Sequence, residues 1–127
     1  TGSRSFLKNL NKQGFRLALV TGTARHEVLR MLPRNIFNLF EVVVCGCEVK
    51  NGKPHPEPYL KALRDLKMNA EDAVVIENAP FGIKSAKSAG LRCLALETSL
   101  PREFLKEADK VFNSFAHITS AVHFLRT

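Results

Sequence analysis

Aspartate is scarce in this sequence, with only Asp65, Asp72 and Asp109 among 127 residues. Tyrosine occurs once, and the sole Tyr59 offers little for nucleic-acid bases to stack on. Cysteine occurs three times, at Cys45, Cys47 and Cys93. An odd count, spaced C-x-C with a distant single, is neither a zinc pattern nor a Cys-x-x-Cys redox pair. It reads as reduced, largely buried thiols in a cytoplasmic protein. No apolar run approaches the roughly 20 residues that cross a bilayer, and residues 3–13 are polar and amphipathic, unlike a signal peptide. A membrane partner is therefore not expected. No initiator methionine leads the chain, which opens Thr1-Gly2-Ser3 and reads as a processed chain or a piece of something longer.

What is present is the composition of an ordinary globular domain: 45% apolar and 24% charged residues. The length fits one domain, in which a core can bury about two thirds of the unfolded chain's surface. Lys and Arg number 19 against 12 Asp and Glu, a net charge of +7. The basic residues fall singly (Arg16, Lys53, Arg64, Lys84, Lys87, Lys106) and never as a run of five, so a nucleic-acid partner is not expected either.

Hydrophobic periodicity alternates between helix and strand. Residues 3–10 place Phe6, Leu7 and Leu10 on one helical stripe, stopped near Gly14. Residues 16–20 are an apolar run of strand length, residues 24–32 a helix ended by Pro33, and residues 41–45 a second strand. A loop over residues 46–58 carries Gly52 and three prolines, and residues 58–67 are helical. A strand at 73–76, a helix at 80–89 between Pro80 and Gly90, and a strand at 92–96 follow. A short fifth strand at 111–112 and an amphipathic helix over 115–125 close the pattern. Nearly all-apolar strands separated by helices predict an α/β fold, a Rossmann-like doubly wound parallel sheet covered on both faces. In that architecture ligands bind beyond the carboxyl ends of the strands.

Three polar stations stand at that end. Thr21-Gly22-Thr23 follows the first strand. A hydroxyl and free amides at a turn into a helix suit a phosphate, although a threonine N-cap with a glycine for the turn accounts for them equally. Lys53 lies in a loop stiffened by Pro54, Pro56 and Pro58. A pre-positioned ammonium there suits a phosphate or a carboxylate cluster, and a solvated lysine is the alternative. A P-loop is excluded, because Gly46 to Gly52 is one residue too long and Pro54 stands where Ser or Thr is needed. Glu77-Asn78 follows the third strand and offers hard oxygen donors for Mg²⁺, or an Asx-turn opening the next helix. At one sheet edge the three describe an anion-plus-cation site of the kind phosphoryl transfer needs.

The segments LALVTGTARHEV, GKPHPEPYLKAL and AVVIENAPFGIKSAKSAG resemble, in order and spacing, motifs II, III and IV of the haloacid dehalogenase-like superfamily. Within it they look most like the β-phosphoglucomutase-like and phosphoglycolate-phosphatase-like proteins. The resemblance spans essentially the whole chain. It implies a Mg²⁺-dependent phosphatase or phosphomutase that acts on a small phosphorylated metabolite through an aspartyl-phosphate. It implies that Thr21 and the Gly22 amide hold the phosphoryl oxygens. Lys53 would neutralise charge at the reacting centre, and Glu77 and Asn78 would carry Mg²⁺. Asn78 departs from the commoner aspartate and supplies no charge. Thr23 and Arg25 would lie toward the far end of the substrate, with His26 beside them, whereas His55, His117 and His123 form no ligand cluster by spacing.

The family's first motif, an Asp-x-Asp-Gly-Thr-like segment supplying nucleophile and acid/base, has no match in these residues, nor has the cap domain that follows it. Residues 1–127 then read as the core portion after the cap, with the central strand between those ending at Thr21 and Glu77 absent. The gap should be filled by an N-terminal segment of the same protein as a separate piece, or covered in a homo-oligomer, unless the sheet rearranges. On this reading the chain alone is inactive. A catalytically silent binding or interaction module is the second reading.

Overall fold

A computed structural model describes residues 2–98 and 100–115. The elements are helix α1 (Ser3–Lys12), strand β1 (Ala18–Val20), helices α2 (Arg25–Met31) and α3 (Arg34–Phe37), strand β2 (Val42–Val44), helix α4 (Glu57–Leu66), strand β3 (Val74–Glu77), helix α5 (Pro80–Ser88), and strands β4 (Arg92–Leu96) and β5 (Lys110–Phe112). Single 3₁₀ turns occupy Gly46–Glu48, Ala70–Asp72 and Arg102–Leu105.

The strands pair in parallel, as the alternation of helix and strand predicts, but in two sheets: β2 beside β1, and β3, β4, β5 in that order. Among the described residues β1 and β3 make no ladder with each other. The break falls between β1 and β3.

Both faces of β3 and β4 are buried by the period-two alternation of a strand. Val75, Cys93 and Ala95 meet Tyr59 and Leu63 of α4 and Ile83 and Ala86 of α5. Val74, Ile76, Leu94 and Leu96 meet Phe6 and Leu10 of α1 on the opposite face. Leu17, just before β1, joins this second cluster, and Val20 of β1 packs on the first. Helices α1 and α4 therefore span the break and hold the two sheets as one body. Each fully buried side chain of this kind (Ile83 and Leu105 among them) contributes about 1.5–3 kcal/mol of burial energy.

Sequence and structure differ at the edges of elements. The helix expected over 24–32 stops at Met31, and a separate turn, α3, follows Pro33, which cannot continue the ladder. The 46–58 loop is partly ordered by the Gly46–Glu48 turn and gives way to α4 at Glu57. The helix expected over 115–125 lies outside the described residues except for Phe115, whose ring stacks on Phe6 at 5.1 Å between centroids. No described helix is long and apolar enough to cross a membrane.

Candidate active site

The three polar stations converge at the carboxyl ends of β1 and β3. Thr21 N–H still donates to Val44 O at 2.9 Å, so the turn begins directly off the β1–β2 ladder. Thr23 N–H donates to Thr21 Oγ1 at 3.1 Å, which fixes the hydroxyl as acceptor and leaves its proton for a ligand. The Gly22 side of the turn is open, since a Cβ placed there meets nothing within 4 Å.

The opposite side of Gly22 is closed by another glycine. Gly46 N–H donates to Thr23 O at 2.9 Å, and a Cβ on Gly46 would lie 2.1 Å from Gly22 O. Only glycine permits that approach, so Gly46 sets the pose of the turn. A cavity of about 220 Å³ results, lined by Thr21, Gly22, Gly46 and Lys53 together with the apolar Val49 and Pro58.

Lys53 is the centre of the polar network. Its Nζ donates to Glu77 Oε1 at 2.5 Å and to Val20 O at 3.0 Å, and it sits 5.3 Å from the centre of the Tyr59 ring. Tyr59 O–H donates to the same Glu77 oxygen at 3.0 Å. Burial, reinforced by the Glu77 charge, pushes the Tyr59 phenol far above its ordinary range, so it stays a donor. Glu77 Oε2 accepts from Asn78 N–H at 3.0 Å and Ala79 N–H at 3.3 Å, the amides that open α5. A Cβ on Gly82 would fall 2.0 Å from Glu77 Oε1, so the first turn of α5 makes room for the carboxylate.

Glu77 and Asn78 are oxygen donors of the kind Mg²⁺ takes. Asn78 is exposed, and its Nδ2 donates at 3.4 Å to Thr98 Oγ1, which leaves its carbonyl oxygen available. The donor set fits Mg²⁺ in chemistry but is incomplete within this chain, because among the described residues no three His, Cys, Asp or Glu side chains converge. No aspartate stands near Thr21 or Lys53. Asp65 pairs with Lys61 along α4, Asp72 precedes the amino end of β3, and Asp109 pairs with Lys87 and accepts Cys93 N–H.

Thr23 lies in the turn, but the cavity wall does not include it. Arg25 is held elsewhere. Its Nε donates to Glu48 Oε2 at 2.5 Å, and its Nη2 donates to Glu48 Oε1 and to Val43 O at 2.8 Å each. Glu48 Oε1 also accepts Cys45 N–H at 3.1 Å. The Arg25 side chain thereby clamps the start of α2 to the end of β2. Tyr59, Gly46, Gly82 and Glu48 are site or site-supporting residues that pattern reasoning passes over. Tyr59 reads as one more apolar position of an amphipathic helix, and close approach to a glycine leaves no periodic signal.

Residues 1–96 match the model of the haloacid dehalogenase-like hydrolase family. A phosphorylated carbohydrates phosphatase of Thermotoga maritima is 42% identical over 91 residues, 71% of this chain and 42% of that protein. Hexitol phosphatase A of Escherichia coli is 32% identical over 124 residues, 93% of this chain and 55% of that protein. The crystal structure of CbbY from Rhodobacter sphaeroides, in complex with phosphate, superposes with a TM-score of 0.81 at 33% identity, covering 92% of this chain and 54% of the other. The chain thus spans about half the length of the curated relatives it matches. The convergence of the three stations at one sheet edge and these similarities lead to the same conclusion: the chain belongs to the haloacid dehalogenase-like hydrolase family.

Proposed function

We propose that the chain is the phosphate-handling part of a Mg²⁺-dependent phosphatase or phosphomutase acting on a small phosphorylated metabolite, in which an aspartate from a segment outside it becomes the phosphorylated nucleophile. The observation that carries this reading is the single cavity shared by Thr21, Gly22 and Lys53, with Glu77 on the far side of the Lys53 ammonium. The Thr21 hydroxyl and the Gly22 amide bind the phosphoryl oxygens, and Lys53 holds positive charge against them as charge grows in the transition state. Tyr59 and the opening amides of α5 hold Glu77 in place beside the reacting centre. Glu77 and Asn78 would hold part of the coordination of a bound Mg²⁺, which would supply charge neutralisation to the phosphoryl group.

The break between β1 and β3 supports the second half of the reading. β1 and β3 each end their own sheet's order and their carboxyl ends are bridged by Lys53, so one parallel strand placed between them would join the two sheets into one of six strands. An acidic residue at its carboxyl end would arrive beside Lys53, Thr21 and Glu77. An N-terminal segment of the same protein, or its equivalent in a second copy, is the occupant we propose. Without it the chain has no nucleophile and is inactive alone. Three free cysteines, two of them buried, fit a reducing compartment such as the cytoplasm.

The non-enzymatic reading also has an observation in its favour: in this chain Lys53 and Glu77 neutralise each other, which suits a silent phosphate-binding domain. Inorganic phosphate titrated into ¹⁵N-labelled protein tests the cradle. The Gly22 and Thr23 amides should shift saturably, and Lys53→Met should abolish the response. An unmoved Gly22 amide would remove the basis of the proposal.

A further inference from the structure

A second concavity lies on the other side of the Lys53 loop and shares only Gly52 with the first. It has a volume of about 600 Å³. One wall is the loop with Lys50, Asn51 and His55, and the other is the face of α5 that carries Lys84 and Ser88, four residues and one helical turn apart. Neither Lys50 nor Lys84 takes part in an ion pair among the described residues, in contrast to Lys53, Lys61 and Lys87.

The two walls are fixed relative to each other. Ser85, fully buried on α5, donates from Oγ to His55 O at 2.6 Å and ties the loop to the helix. Glu57 closes the loop from behind, accepting Lys50 N–H at 2.7 Å, Asn51 N–H at 3.0 Å and Asn51 Nδ2 at 3.1 Å. Three donors thus occupy the Glu57 carboxylate, and it does not line the concavity. Glu57 N–H donates to His55 Nδ1 at 3.0 Å. The imidazole proton is therefore on Nε2, and the ring is a donor toward solvent. Two ammonium groups, an imidazole N–H and a serine hydroxyl surround one space with no lining acid.

We propose that this concavity is a second anion site, separate from the Thr21–Lys53 cradle, that takes a small multiply charged phosphate such as pyrophosphate. The division of charge selects the class. Lys50 and Lys84 stand on different walls, so an anion with charge at both ends satisfies both, and a single carboxylate reaches only one. The inference does not depend on the proposed catalytic role, because none of its anchoring side chains belongs to the cradle.

The test is titration of ¹⁵N-labelled protein with inorganic pyrophosphate, free of Mg²⁺ and at constant ionic strength. Saturable shifts are expected at the amides of Lys50, Asn51, Gly52, Lys84 and Ser88, on a binding curve of their own. The double variant Lys50→Ala/Lys84→Ala should weaken that curve about tenfold, while the Gly22 response to the same anion stays as in the parent. Both lysines are exposed, and unchanged core resonances at Ile83 and Leu105 confirm the fold of the variant. The inference is overturned if shifts at these residues rise linearly without saturation, if they survive the double variant, or if only Thr21–Thr23 and Lys53 respond.

Discussion

The Lys53 ammonium rests 2.5 Å from Glu77 Oε1 and 3.0 Å from Val20 O, so one side chain joins the carboxyl ends of β1 and β3, strands that share no ladder. The Glu77 side chain is 8% exposed and that of Lys53 19%, so neither charge is well solvated. Removing one partner of such a pair leaves the other buried and uncompensated. Lys53→Met should lower stability by about 3 kcal/mol. The double variant Lys53→Met/Glu77→Gln should recover part of that loss. Urea unfolding of the three proteins checks both statements.

Tyr59 is the one tyrosine in a chain without tryptophan, so its ionisation can be read without interference. Burial and the Glu77 charge raise its pKa well above the ordinary 10.0. The folded protein should show no phenolate absorbance on passing pH 10. The sign follows from linkage: above 10 the unfolded chain loses a proton that the folded chain keeps, so stability falls as pH rises. Phenolate should therefore appear together with unfolding. Tyr59→Phe, which removes a donor to Glu77, should cost about 1–3 kcal/mol at neutral pH.

Three glycines separate close approach from open space. Gly46→Ala would drive a methyl group into the Gly22 carbonyl, and Gly82→Ala into the Glu77 carboxylate. Backbone cannot yield as a side chain can, so Gly46→Ala should be the more damaging; each should cost about 1–3 kcal/mol or more. Gly52→Ala meets nothing within 4 Å and should lie within about 0.5 kcal/mol of the parent. Thermal melts of the three variants order them.

The fold was legible where apolar periodicity was strong. Residues 92–96 are a strand with the expected bounds, and Pro80 opens α5 as its fixed φ allows. Thr21, Gly22 and Glu77 were legible as candidates because polar residues directly after apolar strands have one place to go in a parallel sheet, and Lys53 because prolines stiffen the loop that carries it. Tyr59 was not, since its hydroxyl acquires a role only once α4 is laid beside β3. The Arg25–Glu48 clamp was not legible either: it joins residues 23 apart, and nothing local to Arg25 distinguishes a clamp from a substrate contact.

That clamp has a pH signature. The Arg25 guanidinium, helped by the Cys45 amide, holds the Glu48 carboxyl at about 2, below the ordinary 4.5. A depressed carboxyl stabilises the fold fully above 4.5, and the contribution is lost as pH falls through about 2. Glu48→Gln should be less stable than the parent at neutral pH, and the gap should narrow across that window. Urea midpoints at intervals between neutral pH and acid record it.

The central claim is that the two sheets are parts of one catalytic sheet, completed by a strand that brings an aspartate to Lys53. Thermal unfolding by circular dichroism, with and without a synthetic peptide of four β-branched residues followed by Asp-x-Asp-Gly-Thr, tests it most directly. The account predicts that the peptide raises the melting temperature, that replacing both its aspartates by asparagine weakens this effect, and that the mixture gains Mg²⁺-dependent release of phosphate from a sugar phosphate. A melting curve unmoved by the peptide, or equal phosphate release by the chain alone, would contradict it.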